Sequence, residues 1–321
     1  MNLMLFEGIL MDIVSLFSGA GVLDKGLILA GHQIIWANDI DKDATETYRY
    51  NIGSHIVQGD IKTINLNDIP QGDIIVGGFP CQGFSQANLK RCIDDDRNVL
   101  YQYFCQVVEL KKPKFFVAEN VKGILSLGNG EFIKKIISDF QNLGYVVRIY
   151  SVNMADYGIP QTRKRVIIVG QSTSISNVDF QFPKQTNSQD GIDFPKWISI
   201  KSAIEHFPDP DLPNEVLNHN YSAYKVTYRN FTGHRKTDSE KPSPTILARG
   251  NGKGGVCAIP HYNGLRRLTV RESASIQTFP EDYFFCGAMG SCYRQVGNAV
   301  PVRFARLIGE EFRRLELLGI I

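Results

Sequence analysis

Short apolar runs that end in glycine or an acidic residue and then give way to a helical pattern fill the first half of the chain, and they restrict its fold most. Asp12-Ile13-Val14-Ser15-Leu16-Phe17 runs into Ser18-Gly19-Ala20-Gly21 and then a helical pattern from Leu23 to Ala30. Gln33 to Asn38 reads as a second strand, Ile56-Val57 as a third and Asp73-Ile74-Ile75-Val76 as a fourth. Strands alternating with helical patterns build βαβ units and a parallel sheet. Open α/β sheets place their chemistry at the carboxyl ends of the strands. The residues just after each apolar run are therefore the candidates for function.

The first turn sets backbone N–H groups and a helix N-terminus against a ligand. Its Gly-x-Gly spacing lacks the third glycine of a dinucleotide fingerprint, which disfavours a plain NAD site. The second strand ends in Asn38-Asp39-Ile40-Asp41. An acid about twenty positions past the glycine turn suits a pair of ribose hydroxyls. Asp41 competes as the N-cap of a helix over Ala44–Tyr50, so Asp39 is the better ligand candidate. The third strand leads to Gly59-Asp60-Ile61, where Asp60 alone reads equally as a turn residue. Three successive strand ends with glycines or acids point together to a nucleoside pocket.

The fourth strand leads into Gly77-Gly78-Phe79-Pro80-Cys81-Gln82-Gly83-Phe84-Ser85. A cysteine is ordinarily a small buried hydrophobe. Here glycines, a proline and the missing apolar continuation put Cys81 on a tight strand-end turn, where it reads as a nucleophile. Residues 86–98 are polar and charged and predict a loop over the site, followed by a helix from Asn98 to Leu110. A fifth strand, Lys114 to Ala118, ends in Glu119-Asn120-Val121, facing the same crevice. Glu119 also suits a helix N-terminus. Beyond a helix over 131–143 and a strand from Tyr145 to Val152 comes Gln161-Thr162-Arg163-Lys164-Arg165. Strand alternation puts Arg163 and Arg165 on one face and Lys164 on the other.

From Gln171 to about Gly264 the βα rhythm stops, and proline, asparagine, serine and aspartate interrupt the apolar periods. The segment predicts a second domain or long insertion of irregular β structure. Net charge is only +2, yet residues 220–275 carry ten Lys/Arg against three acids. That local excess is the footprint of a polyanion binder, with a chance-charged solvated surface as the plain alternative. Glycines among basic residues at Arg249-Gly250-Asn251-Gly252-Lys253 let a backbone approach phosphates. Leu265 to Thr278 reads as helical, and Tyr293 to Pro301 as a glycine turn feeding an amphipathic helix from Val302 to Leu318 that packs on the first domain.

Six cysteines stand without a Cys-x-x-Cys pair or zinc-finger spacing, so no metal is expected and reduced thiols are the expected state. No window approaches the roughly 18 apolar residues of a membrane span. Met1 to Leu10 lacks the features of a signal peptide, and either Met1 or Met11 suits a translation start.

Taken in order, seven segments closely resemble the DNA (cytosine-5)-methyltransferase family, typified by bacterial modification methylases. They are Phe17-Ser18-Gly19-Ala20-Gly21, Gly59-Asp60-Ile61, Gly77 to Ser85, Glu119-Asn120-Val121, Gln161 to Arg165, Arg266 to Pro280, and Arg294 to Pro301. Pro-Cys-Gln or Glu-Asn-Val alone is weak, but the ordered set covers almost the whole chain and is highly specific. The resemblance implies an α/β fold, a Rossmann-like S-adenosylmethionine-dependent methyltransferase sheet with a small, irregular, mostly β target-recognition domain. It assigns 11–175 and 295–321 to the catalytic, cofactor-binding domain, 176–275 to target recognition, 276–294 to a hinge region and 1–10 to an extension.

By motif, S-adenosyl-L-methionine is expected against Phe17, Ser18, Gly19, Ala20 and Gly21, with Asp39 on the ribose and Asp60 on the adenine amino edge. Ile40, Ile61, Leu100, Asn298 and Val300 complete that pocket. Three positions depart from the pattern: Asp39 where many members have Glu, Ile40 where an aromatic is common, and Val22 at a second-glycine position. The catalytic set implied is Cys81 with Pro80, Glu119, Asn120, Arg163 and Arg165. Gln82, Ser85, Arg97, Arg229, Arg249 and Lys253 are expected on DNA.

The chemistry implied explains the residue types. Cytosine C5 is a poor nucleophile until a thiolate adds at C6, which requires Cys rather than Ser. A Glu119 that carries a proton in a desolvated pocket stabilises the ring at N3, and Arg165, supported by Arg163, donates to O2. The cytosine must first be flipped from the duplex, with residues 82–98 as lid and the basic segment as groove reader. Double-stranded DNA, a cognate restriction endonuclease, a monomeric state and a bacterial cytoplasm, with nucleoid association through DNA, follow from the resemblance. The rivals are a tRNA-methylating cousin, disfavoured by the long basic insertion and the lack of a Cys-Phe-Thr signature, and a DNA-binding regulator with a dead site.

Overall fold

The computed structural model describes residues 11–80, 99–175, 180–223, 226, 236–248 and 259–319. The first half alternates as expected: β1 (Asp12–Leu16), α1 (Val22–Leu29), β2 (Gln33–Asp39), α2 (Lys42–Asn51), β3 (Ile56–Gln58) and β4 (Ile74–Gly77). It continues with α3 (Val99–Lys111), β5 (Phe115–Val121), α4 (Glu131–Asn142), β6 (Tyr145–Asn153), β7 (Gln161–Thr162) and β8 (Lys164–Ser172). The remainder holds α5 (Ile200–Ile204), β9 (Ser243–Pro244), α6 (Val270–Ile276), α7 (Met289–Asn298) and α8 (Val302–Leu317).

Seven strands form one sheet in the order β3-β2-β1-β4-β5-β8-β6. All neighbours are parallel except β8, which runs antiparallel to both β5 and β6. From β1 the chain builds outward to β3, then returns to place β4 on the other flank. The order therefore reverses between β1 and β4, and a crevice opens beyond their carboxyl ends. The register Leu16↔Gly77 sets the turn after β1 beside the turn after β4.

Strand alternation feeds a core on each face. Ile13, Val76, Phe115 and Val117 point to the side covered by α8, through Phe304, Ile308, Phe312 and Leu315. Val14, Ile75, Phe116 and Ala118 point to the side covered by Phe104 of α3 and Phe140 of α4. The return of the amphipathic last helix onto the first domain is thus observed.

A third core joins Ala20 and Val22 to Ile200, Ile246, Leu268, Val270, Phe279, Tyr283, Phe285 and Val296. It corrects several expectations. The boundaries placed at 275/276 and 294/295 fall inside α6 and α7, because both helices bury their apolar sides in this shared core. The helix expected from Leu265 begins only at Val270, where Thr269 and Glu272 cap it reciprocally: Thr269 Oγ1 accepts the Glu272 N–H at 2.9 Å and Glu272 Oε2 accepts the Thr269 N–H at 2.8 Å. The stretch from Tyr293 is the body of α7 rather than a glycine turn. Gly297 is in the helix for closeness: a Cβ there would lie 2.4 Å from Ala248 N and 2.5 Å from Leu247 C. Among the described residues of the insertion, β pairing is limited to β7 with β9 and the bridges Ser188↔Lys196 and Pro260↔Arg267.

Candidate active site

The turn after β1 is held from three sides. Phe17 and Gly19 adopt left-handed backbone, φ 55° and 57°, as does Gly21 at 81°. Asp39, at the end of β2, accepts the Gly19 N–H at 2.7 Å through Oδ2 and the Asp41 N–H at 2.8 Å through Oδ1. Burial raises the Asp39 carboxyl above its usual range, while these two N–H donors pull it back down. Asp41 caps α2, accepting the Ala44 N–H at 3.1 Å, and pairs with Arg294 of α7 at 2.8 Å. Its capping role, weighed against ligand binding in the sequence, is the one observed.

Buried Asn38 ties the next strand end in, donating through Nδ2 to Val57 O at 2.9 Å and Gly59 O at 3.0 Å. Asp60 caps a short 3-10 turn by accepting the Lys62 N–H at 3.1 Å, and Ile61 is buried behind it. Phe17 and Leu100 both pack on the apolar cluster that contains Ile61. Ile40, by contrast, is 66% exposed beside Asp39. A Cβ built on Gly19 meets nothing within 4 Å, so the turn is open above. An open glycine turn, a fixed carboxylate and an uncovered apolar side chain together fit a nucleoside. Val300 is buried in the core shared with α8, and Asn298 is exposed at the end of α7.

On the neighbouring flank, β4 ends at Gly77 and the chain passes through Gly78, Phe79 and Pro80 toward Cys81. Asn120 is buried and donates through Nδ2 to Phe79 O at 3.2 Å, fixing this turn from β5. Glu119, nearly buried, pairs through Oε1 with Arg165 Nε at 2.6 Å. The pairing follows from register, since antiparallel β8 sets Val121 opposite Arg165. The other oxygen, Oε2, would lie 3.3 Å from a Cβ on Gly78, so it faces the strand-end turn.

Arg163 shares the burial side expected of it but holds different partners. It is 1% exposed and donates to Ile246 O and Gly297 O, each at 3.0 Å. Burial lowers its pKa well below the ordinary guanidinium value. These two hydrogen bonds fasten α7 and the 246 segment to the root of β8.

The basic count of 220–275 also needs correction. Arg266 binds Glu272 bidentately at 2.8 and 2.7 Å. Arg267 is 3% exposed, and fully buried Arg271 donates to the carbonyls of Leu217, Pro280 and Tyr283. These three charges hold the third core together, and period-based reading of a sequence does not separate such arginines from surface ones. Cys81, Gln82, Ser85, Arg97, Arg229, Arg249 and Lys253 lie outside the described residues. Burial pushes the thiols of Cys105 and Cys292 up to about 12 and about 11, and raises Cys286 as well. None of these three is suited to nucleophilic work.

The family model for C-5 cytosine-specific DNA methylases matches residues 11–314. The chain belongs to that family. It is a DNA cytosine-5 methyltransferase. Its sequence is 40% identical over 313 residues to the Type II methyltransferase M.NgoFVII of Neisseria gonorrhoeae, covering 90% of this chain and 83% of that one. It is 35% identical to M.FnuDI of Fusobacterium nucleatum, covering 94% of each, and 34% identical to M.MthTI of Methanothermobacter thermautotrophicus, covering 97% and 99%. In fold the methylase resembles the S. pombe Dnmt2 methyltransferase (TM-score 0.70, 20% identity, covering 95% of this chain and 99% of that one). It likewise resembles the Entamoeba histolytica methyltransferase EhMeth (TM-score 0.71, 16% identity, with the same coverage). Among its described residues no group of three or more His, Cys, Asp or Glu is placed to hold a metal, and no helix is long and apolar enough to cross a membrane.

Sequence reading missed the polar packing behind the Phe17–Gly21 turn: Asp24, Ser15 and Tyr48 beneath it and Tyr283, which donates to Ala20 O at 2.5 Å. The available signal was Asp24, an acid inside the apolar pattern of α1.

Proposed function

We propose that this methylase transfers the methyl group of S-adenosyl-L-methionine to C5 of a cytosine flipped out of a specific duplex sequence, through a covalent adduct between Cys81 and C6. The observation that carries the reading is the Glu119–Arg165 pair facing the Gly78–Pro80 turn that leads into Cys81. The cofactor supplies an electrophilic methyl on a sulfonium, and the chain's residues supply everything that makes C5 attack it. Asp39 orients the ribose while the 17–21 turn lies against the rest of the nucleoside.

The Cys81 thiolate forms a bond to C6, and the ring electrons move toward C5 and N3. Glu119 Oε2 meets the N3 edge, and Arg165, held by Glu119 Oε1, presents a donor to O2. Once C5 carries the methyl, its proton is lost, the C5=C6 bond re-forms and Cys81 departs with the S–C6 electrons. A base in a stacked duplex cannot reach this crevice, so flipping precedes attack. The insertion between β8 and α6 supplies the groove reading and phosphate contacts, and the named Type II relatives support a role in protecting host DNA from a cognate endonuclease.

DNA containing 5-fluorocytosine tests the reading, because fluorine blocks the final proton loss. The adduct is expected to trap on Cys81; an adduct mapped to another residue refutes it. Tritium transfer to duplex DNA but not to tRNA is expected, and the reverse preference would restore the tRNA-methylating alternative.

A further inference from the structure

Directly beneath the cofactor turn lies a fully buried carboxylate that the proposed chemistry does not use. Asp24, 0% exposed, sits in the first turn of α1. It accepts from Ser15 Oγ at 2.7 Å and from Tyr48 Oη at 2.9 Å. Ser18, inside the turn, donates to Ser15, with Ser15 O and Oγ both at 3.0 Å, and its own oxygen accepts the Asn38 N–H at 3.3 Å. On the other side Tyr48 touches the turn with its ring: a Cβ on Gly21 would lie 2.6 Å from Tyr48 Cδ2. The Tyr48 hydroxyl is also 2.9 Å from His55 Nε2, beyond which the chain of hydrogen bonds reaches partly exposed ground.

Donor counting gives this chain a direction. An ionised carboxylate only accepts, so both hydroxyls point at Asp24 and the Ser15 oxygen is left to receive the Ser18 proton. A protonated carboxyl must donate one of its two contacts, which reverses Ser15 or turns Tyr48 toward His55. Either reversal disturbs a residue that touches the turn.

We propose that Asp24 is a positioning residue for the cofactor turn, acting through Ser15 and Ser18 on one side and through Tyr48 on the other. The proposal rests on the reading that residues 17–21 bind S-adenosylmethionine. Burial supports it by pushing the Asp24 carboxyl up to about 6, against the lowering effect of the two hydroxyls, so the direction of the chain is set within an accessible pH range. The other titratable groups facing the network are Tyr48, Tyr283, His55 behind Tyr48, and Asp39 across the Gly19 N–H.

Isothermal titration of the full chain with S-adenosyl-L-methionine, repeated across pH, tests this. Wild-type affinity is expected to weaken as pH falls through about 6. Asp24→Asn, which keeps the shape but fixes an amide donor in the network, is expected to bind roughly tenfold more weakly and to lose that pH dependence. In kinetics KM for the cofactor rises while kcat at saturating cofactor and KM for DNA stay within about twofold, a split that general loss of structure does not produce. Ser15→Ala carries the same test should Asp24→Asn not fold. Wild-type affinity and pH profile in both variants overturn the proposal, as does a pH profile that survives in Asp24→Asn and so belongs to His55 or Asp39. A wild-type enzyme that binds no S-adenosylmethionine overturns the cofactor reading instead.

Discussion

Replacing Gly297 by alanine inverts the usual expectation for a helix. In an exposed helix interior Gly→Ala stabilises by about 1 kcal/mol, because glycine loses more backbone freedom on folding. Gly297 belongs to α7, but its missing Cβ would stand 2.4 Å from Ala248 N, 2.5 Å from Leu247 C and 2.6 Å from Ala248 Cα. Carbon contacts settle near 3.5–4 Å, so a shift of roughly 1 Å is required, and backbone cannot yield by changing rotamer. Overpacking of this kind costs about 1–3 kcal/mol. The displaced segment also carries Ile246 O, which accepts from buried Arg163 at 3.0 Å. Weakening a charged hydrogen bond adds about 1.5–3 kcal/mol. After the helix gain is subtracted, Gly297→Ala is expected to destabilise by about 1.5–5 kcal/mol, read from urea unfolding with the slope unchanged. Methyl transfer should fall too, since Arg163 stands two residues from Arg165. A variant as stable as wild type, or more stable, refutes the close approach of α7 to 247–248.

Other outcomes follow from the same geometry. Glu119→Gln is expected to fold, because it keeps an acceptor for Arg165, yet to lose at least about a hundredfold in kcat if the carboxyl serves N3; single-turnover methylation measures it. Arg165→Ala leaves the nearly buried Glu119 carboxylate without its cation and should cost about 3–5 kcal/mol in a denaturant melt, with activity lost as well. Arg271→Ala strips donors from the carbonyls of Leu217, Pro280 and Tyr283 and empties a large buried volume; unfolding is expected to show a loss of about 3 kcal/mol or more. For Asp24 the native carboxyl binds its proton more tightly than the unfolded one, about 6 against 3.8. The native state therefore holds the extra proton between those values, and stability falls as pH rises through that window, by roughly 3 kcal/mol. Asp24→Asn should flatten that slope in melts recorded across pH, and an unchanged slope assigns it elsewhere.

The sheet and its crevice were legible because the code for them is local. Apolar runs of strand length, glycine at their ends and helical periods between them reappear as β1 to β4 with boundaries displaced by a residue, and as β5, which runs three residues past Ala118 to take in Glu119-Asn120-Val121. Strand alternation likewise placed Arg163 and Arg165 on one side of Lys164. Alternation does not report what a side chain meets on that side, and so the hold of Arg163 on Ile246 and Gly297 was not legible. The same limit applies to Arg266, Arg267 and Arg271: a buried arginine satisfied by carbonyls or by one glutamate has the same local signature as a surface phosphate contact. Gly297 was misread for the converse reason. Its conformation is ordinary helix, and its necessity comes from a backbone 49 positions away in the chain, at Ala248.

Those misread residues share a physical role. Several parts of the crevice wall are braced by the last third of the chain: Ala20 O by Tyr283, Asp41 by Arg294, the α2 residue Thr47 by Gln295, and the root of β8 by Gly297 through Arg163. The motif residues from Phe17 to Arg165 therefore do not form the site by themselves. Left-handed backbone at Phe17 and a fully buried Asp24 are costly, and packing from outside the sheet must hold them in place. A charge that destabilises the fold when ionised, directly under the turn proposed to bind the cofactor, is where stability and function are expected to oppose each other. That opposition explains why the supports come from α7 and the third core, elements whose own apolar burial is independent of the cofactor.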